Sequence, residues 1–374
     1  MAPSIPNTKF FGLDHLRTLA ITLVFVYHFG RLFPHPEWTN TISKFGWTGV
    51  DLFFVLSGYL ISSQLFSKIA QEGNFSLKEF FLKRFFRIIP PYIIVVSIYF
   101  IFPDVHEREG LAPLWKYLSF TQNLGLNLLK QGTFSHAWSL CVEEQFYLLL
   151  PLILSVLVYL NVLKKGHWLI IILFLMGFMI RLYSYQTYVI PNIVNEHVWA
   201  FWYQWIYYPT YCRLDGLLIG ISIAALFQYK PNFKHKMSAY GNLFLFISVL
   251  ILIGAYYLCL DERSFAASVF GFPLVSVGYG VMVLGAITQS SFLYKIKSRI
   301  TIHIATLSYS IYLIHKFIIH IVQDQFSKFN IAKDSNLMFL LCILTTITGA
   351  IIMNQLIEKP FLKLKDRLIE QLKI

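Results

Sequence analysis

Residues 11–32 read FGLDHLRTLAITLVFVYHFGRL. A bilayer core is crossed by about 20 predominantly apolar residues, and this run is long enough. It is not a cleaved signal: Asp14 and Arg17 interrupt it, and no small-residue cleavage site is evident. Nine further apolar runs follow, at about 46–66, 88–103, 143–162, 167–183, 206–227, 241–260, 265–288, 301–322 and 336–357. The third is short and the sixth carries charge. No internal repeat or low-complexity tract interrupts the series. The reading is an all-α integral membrane protein of about ten transmembrane helices, with both termini cytoplasmic. The whole of 1–374 is read as one transmembrane domain without an appended soluble domain.

Composition points the same way. The 374 residues are 56% hydrophobic and only 13% charged, with 35 Phe, 22 Tyr and 8 Trp and a mean hydropathy of +0.60. Soluble domains carry about 25% charged residues. A disordered chain, a disulfide scaffold and a nucleic-acid binder are excluded together. The four cysteines, Cys141, Cys212, Cys259 and Cys342, are scattered without the spacing of a zinc site or disulfide framework. They read as small apolar residues, and no metal or bound prosthetic group is expected.

The net charge of +12 follows from the loops. With the N-terminus inside, nineteen Lys and Arg fall on the inner side, among them Lys9, Lys83, Arg84, Arg87, Lys164 and Lys373, against ten on the outer side. Cytoplasmic loops carry such an excess. The bias predicts ten crossings and a multi-pass protein of the bacterial inner (cytoplasmic) membrane. Two outer segments are long. One, 104–142, has the length of a functional or partly re-entrant loop. The other, 184–205, leads into Trp199, Phe201, Trp202, Tyr203, Trp205, Tyr207, Tyr208 and Tyr211. This aromatic run is read as an interfacial belt, with a platform for stacking a sugar as the alternative.

An ionisable residue in a span costs roughly 2.5–3.5 kcal/mol on insertion scales and usually faces protein or water. Arg17 and His28 are therefore informative. Eleven positions at 100° each bring both to one helix face, about 16 Å apart along the axis. The competing reading is an Arg17–Asp14 salt bridge one turn long, with His28 an interfacial polar residue. Glu143 and Glu144 stand at the expected outer start of the fourth span, where helix-start acids are also favourable. In the ninth span Ser308, Tyr312 and His315 share a face, and His315 is read first as a packing residue. Arg213 and Asp215, two positions apart, cannot share a face and must serve different partners.

These residue types suit acyl transfer to an alcohol. A histidine acts as base or nucleophile near neutral pH, and a carboxylate can orient it. A cation can hold an anionic donor such as the phosphates of coenzyme A.

At these residues the sequence resembles the acyltransferase-3 family of membrane acyltransferases. Phe11 to Arg17 followed by Tyr27-His28 is similar to its opening motif. Gly49 to Tyr59, with Asp51, Ser57 and Gly58, is similar to its second signature. Arg84-Phe-Phe-Arg87-Ile-Ile-Pro90 resembles the basic helix start that follows, and Trp138-Ser139-Leu140 with Glu143, Phe146 and Tyr147 its acidic motif. Arg213-Leu-Asp215-Gly216, Tyr309 to His315 and Glu358-Lys-Pro360-Phe361 complete the order. The resemblance implies acyl-CoA, in the first place acetyl-CoA, as donor substrate. It also implies an extracytoplasmic or lipid-linked glycan such as lipopolysaccharide O-antigen as acceptor. A separate extracytoplasmic transferase is a further expected partner, and nucleic acid is not one. His28 and Glu143 are the expected catalytic pair and Arg17 the donor-binding residue. His315, Arg213, Asp215, Glu144 and Ser57 stand behind them. The rival reading is a polytopic transporter or flippase of a lipid-linked glycan, which also needs charges within its spans.

The orientation has a direct test. In a cysteine-free background, a cysteine at Lys164 is expected to be shielded from an impermeant thiol reagent and one at Lys130 to react. The reverse pattern overturns the assignment of sides.

Overall fold

The computed structural model describes residues 11–371, among which there are helices and turns but no strand. Ten helices stand where the ten runs were expected: α1 Phe11–Leu32, α2 Gly49–Glu72, α3 Leu77–Ile101, α4 Trp138–Tyr159, α5 Gly166–Ser184, α6 Asp215–Tyr229, α7 Gly241–Leu258, α8 Phe272–Ile287, α9 Arg299–Ser327 and α10 Asn336–Met353. An amphipathic α11, Lys359–Gln371, follows. Among the described residues, eight segments are long and apolar enough to cross a membrane, one for each of α2 to α5 and α7 to α10. α1 is too polar to join them and α6 too short. Lys9 and Lys373, with the termini they mark, lie outside the described residues.

The helix limits differ from the hydropathy reading where charge or irregular backbone intervenes. α3 begins at Leu77, eleven residues before the apolar run. Ser76 caps it, its Oγ accepting from the Glu79 N–H at 3.1 Å, in the S-x-x-E pattern that starts helices. Glu79 then takes Lys68 and Lys83, each at 2.5 Å, so the basic first turns are balanced locally. α4 starts at Trp138, five residues before the expected edge, which carries Glu143 more than a turn inside the helix. The sixth run is shorter than expected, because Tyr203–Tyr207 is π-helical and Thr210–Cys212 is 3₁₀.

The helix that carries Asp14, Arg17 and His28 is largely enclosed rather than lipid-facing. α1 buries Leu16, Ala20, Val24 and Phe29 and runs parallel to α9. Thr18 Oγ1 donates to Thr301 O at 2.9 Å near one end, and Gln323 Nε2 donates to Pro34 O at 2.8 Å near the other. Two buried ion pairs fix the start of α6. Arg213 donates to both oxygens of Asp51 on α2, at 2.8 and 3.0 Å. Arg181 on α5 reaches Asp215 at 2.7 and 3.3 Å. The Arg213 guanidinium also lies 4.0 Å from the Phe272 ring centre and 4.7 Å from that of Tyr207, contacts that attract a cation. Arg213 and Asp215 thus have separate partners and hold three helices together.

α2 and α6 approach so closely that only small residues fit between them, as in other tightly packed membrane helices. A Cβ on Gly220 would lie 2.4 Å from Val55 O and 2.5 Å from the Tyr59 nitrogen. Gly220→Ala is therefore expected to lower the detergent melting temperature, with a cost of about 1–3 kcal/mol or more for forced overpacking. Gly254→Ala, where a Cβ meets nothing within 4 Å, should be neutral or stabilising. Equal melting of the two variants would show that the close α2–α6 contact does not matter.

Candidate active site

Three histidines converge beside a cavity of about 270 Å³. His28 comes from α1, His315 from α9, and His136 from the 3₁₀ turn Ser135–Ala137 that precedes α4. The ring centres of His28 and His136 lie 4.9 Å and 4.9 Å from that of His315 and 5.8 Å from each other. His315 is wholly buried, and His136 is 2% exposed. His28 and His136 line the cavity with Tyr27, Trp138, Trp199, Tyr203, Tyr207 and Tyr208. The rings are close, yet among the described residues no group of three or more His, Cys, Asp or Glu side chains is disposed to hold a metal ion.

The hydrogen bonds fix how the two bonded histidines divide their protons. His315 Nδ1 faces two backbone carbonyls of its own helix, Tyr312 O at 2.8 Å and Ile311 O at 3.2 Å, so it must be the donor there. In a neutral ring its Nε2 is then an acceptor, and it meets His28 Nδ1 at 2.8 Å. His28 therefore donates from Nδ1 and keeps a lone pair on Nε2. An imidazole held in one tautomer by a partner on its other nitrogen is the arrangement of a general base or nucleophile. The backbone of α9 sets this through one intermediate ring.

His315 is flanked by Lys316, whose Nζ lies 2.7 Å from Glu107 Oε1, with both side chains 1% exposed. Glu107 belongs to the long loop after α3. Burial pushes its carboxyl up, but Lys316 and the N–H groups of Phe134 and Glu107 itself outweigh this and hold it below the ordinary carboxylate value. The same carboxylate accepts from the Phe134 N–H at 3.1 Å. It thereby fastens the loop that carries His136. This segment, expected to be long and functional, is folded into the protein: Tyr117, Gln122, Asn123, Leu126 and Phe134 are fully buried.

Arg17 lies in a second cavity of about 160 Å³ toward the other end of α1. Arg84 and Arg87 from α3 share it with Ser57, Glu143, Glu144 and Tyr147. No ion pair joins Arg17 to Asp14 among the described residues, and Asp14 Oδ2 is buried without a hydrogen-bond partner. The structural salt bridge considered for Arg17 is absent. Glu143 accepts from Ser57 Oγ at 3.0 Å and from Tyr147 OH at 3.2 Å. It is not bonded to His28. The expectation that Glu143 orients this histidine is corrected: its position a turn inside α4 carries it to the arginine cavity, and His315 takes the place at His28.

Between the cavities stands Tyr312. Its hydroxyl donates to His136 O at 2.6 Å, and Ser139 Oγ lies 2.6 Å from the Tyr312 hydroxyl oxygen. Ser308 and Tyr312 line the arginine cavity, while His315, one turn on, touches His28. One face of α9 thus passes from one cavity to the other. The aromatic run divides. Trp199, Tyr203, Tyr207 and Tyr208 face the histidine cavity, whereas Trp205 stacks on Tyr188 with ring centres 4.0 Å apart and Trp202 is 1% exposed. An interfacial belt does not describe these four cavity-lining rings. Tyr203 and Tyr207 lie in the π-helical turn Tyr203–Tyr207, a form frequent at functional sites. His136 was also missed, being a lone loop histidine. Its place two residues before Trp138-Ser139 was the available signal.

Comparison with known proteins identifies the family. The O-acetyltransferases OatA of Staphylococcus aureus strains NCTC 8325 / PS 47 and COL are each 28% identical to this chain over 374 residues. A further Staphylococcus aureus (strain COL) protein, provisionally named an O-acetyltransferase, is 28% identical over 382 residues. Each match covers 94% of this chain and 57% of the relative, so the chain spans little more than half the length of these relatives. No solved structure matches. The family model described as an acyltransferase domain matches residues 10–355, and the chain belongs to that acyltransferase-3 family.

Proposed function

We propose that this protein transfers an acyl group, acetyl in the first place, from acyl-CoA to a hydroxyl of an extracytoplasmic or lipid-linked glycan such as lipopolysaccharide O-antigen. The observation that carries the reading is His28, with its Nε2 lone pair beside one cavity and a separate cavity of arginines at the opposite end of its helix. The O-acetyltransferase relatives support the reaction class, and the charge bias of the loops supports the inner membrane and the assignment of sides.

In this reading Arg17, Arg84 and Arg87 receive the phosphates of the donor from the cytoplasmic side, as guanidinium forks do. Glu143, fixed by Ser57 and Tyr147, offsets the mutual repulsion of those cations. The thioester arm reaches past Tyr312 toward His28. His28 Nε2 takes the proton of the acceptor hydroxyl, and the oxygen attacks the thioester carbonyl. The carbon–sulfur bond then breaks, and His28 returns the proton to the departing thiolate of coenzyme A. His315 accepts from His28 Nδ1 throughout and is a positioning residue. A separate extracytoplasmic transferase completes an alternative route in which the acyl group is handed on.

Purified variants in proteoliposomes test these roles. His28→Ala is expected to retain acyl-CoA binding and to lose about 10²–10⁴-fold in transfer, the range of a general base. Normal transfer by His28→Ala removes the assignment. Arg17→Ala should weaken acyl-CoA binding by about 1.5–3 kcal/mol, the worth of a hydrogen bond to a charged group, and unchanged affinity removes only its donor role. Movement of a glycan without release of coenzyme A would favour the flippase reading.

His315 gives a sharper test of the tautomer argument. His315→Ala should lower kcat and alter its pH profile while leaving the KM for acyl-CoA in place. His315→Gln, whose side-chain oxygen can still accept from His28 Nδ1, should restore part of the rate. Equal rates for the Ala and Gln variants would show that His315 only packs.

A further inference from the structure

The histidine cavity carries a charge pattern that the transfer reaction does not need. Arg31, Arg108 and Arg263 all line it, coming from the end of α1, the loop after α3 and the loop after α7. All three are exposed, and none of their guanidiniums pairs with a carboxylate among the described residues. Lys316 also faces the cavity but is neutralised by Glu107. Glu262 is the acid that lines it. Burial pushes the Glu262 carboxyl up, against the pull of Arg31 and Arg263, and one carboxylate is fewer than the three guanidiniums around it. Three cations from three separate segments therefore surround a space walled by Trp199, Tyr203, Tyr207 and Tyr208.

The two kinds of wall select different parts of one ligand. A pyranose ring presents an apolar C–H face to an aromatic ring and hydroxyl edges to groups such as the Tyr27 and Tyr203 hydroxyls, which lie 3.1 Å apart. A neutral sugar leaves three guanidiniums unused. A carboxylate or phosphate satisfies them, since the planar fork of arginine matches both.

We propose that the histidine cavity is an acceptor site for a glycoside that bears an anionic group, carboxylate or phosphate, with the sugar ring against Trp199 and Tyr203 and the anion at Arg31, Arg108 and Arg263. This rests on the transferase reading and names its acceptor class. The anion belongs either to the sugar itself or to the phosphate that links it to a lipid. In both cases it anchors the acceptor at the cavity mouth while a ring hydroxyl approaches His28 Nε2.

The test uses the full chain in zwitterionic nanodiscs, with binding read from tryptophan fluorescence. Methyl glucoside, methyl glucuronoside and glucose 1-phosphate serve as probes. At about 20 mM salt at least one anionic probe should bind about tenfold or more tightly than methyl glucoside, as expected for a hydrogen-bonded charge. That advantage should shrink at about 500 mM salt and disappear in the Arg108→Gln/Arg263→Gln double variant, whose folding is checked by its melting temperature. Preference for the glucuronoside places the anion on the sugar, and preference for the phosphate places it at the lipid link. Equal affinity for all three probes overturns the proposal. So does loss of probe binding when phosphatidylglycerol is added to the nanodisc at constant ionic strength, because the arginines then serve lipid. Acetyl-CoA consumption is followed in parallel. Consumption with equal probe affinities refutes the site and leaves the enzyme reading. Selective anionic binding with no consumption under any acceptor supports the site and refutes the reaction.

Discussion

A buried ammonium in an apolar bundle is tolerable only if a carboxylate meets it, and Lys316 meets Glu107 at 2.7 Å. Much of the histidine cavity depends on this contact. Glu107 lies far from α9 in sequence, so the pair draws the loop after α3 down onto that helix. Through the Phe134 N–H the same carboxylate sets the turn where Phe134 takes a left-handed φ of 53°. The chain then enters Ser135–Ala137 with His136 directed at His315. Other hydrogen bonds also tie the loop to the bundle, such as Tyr92 OH to Tyr117 O at 3.1 Å and Gln145 Nε2 to Phe120 O at 2.8 Å, but the ion pair is its charged contact with α9. Removing either partner alone would leave a buried charge uncompensated, a far larger penalty than the pair's own net contribution.

The positions of the helices were legible because the bilayer imposes one length on every crossing. α1, α5, α7 and α10 begin at or within a residue of the edges read from hydropathy. The errors share a cause. At α3 and α4 the helix continues through charged residues that hydropathy discounts, since Glu79 pairs with Lys83 and with Lys68 of α2 and Glu143 is satisfied by Ser57 and Tyr147. An average over apolarity cannot see a charge that has a partner in three dimensions. The aromatic segment before α6 failed for a different reason. Its π and 3₁₀ turns have no single period, so sequence spacing does not reveal which rings share a face.

At the site, residue type was legible and pairing was not. Arg17 and His28 share a face of α1 and lie about three turns apart, as helical geometry dictates. Ser308, Tyr312 and His315 likewise follow one stripe of α9. The relation between helices needs the parallel packing of α1 on α9, which is not encoded in either period. That packing sets His28 against His315 and leaves Glu143 with the arginines. A carboxylate was the natural candidate for orienting His28, because it also stabilises the charged ring. A neutral histidine instead fixes the tautomer without placing a negative charge next to His28, the proposed base.

This difference bears on how one membrane protein can hold the proposed donor site and the proposed proton-transferring site without their charges interfering. The arginines and glutamates are gathered in the cavity at one end, where Arg17, Arg84 and Arg87 face Glu143 and Glu144. Near His28 the charged groups are the neutralised Lys316–Glu107 pair and, at the opposite mouth, Glu262 with the exposed arginines. Tyr312, bonded to both Ser139 and His136 O, closes the space between them with neutral groups. In the proposed reaction a slender thioester arm must pass that point while its phosphates remain behind. A wall made of one hydroxyl pair can part at the cost of two hydrogen bonds, each worth about 0.5–1.5 kcal/mol net. A wall made of an ion pair would cost several times more to open. A neutral partition is therefore the cheaper one to open repeatedly, and it shields His28 from the donor's phosphates while it stays closed.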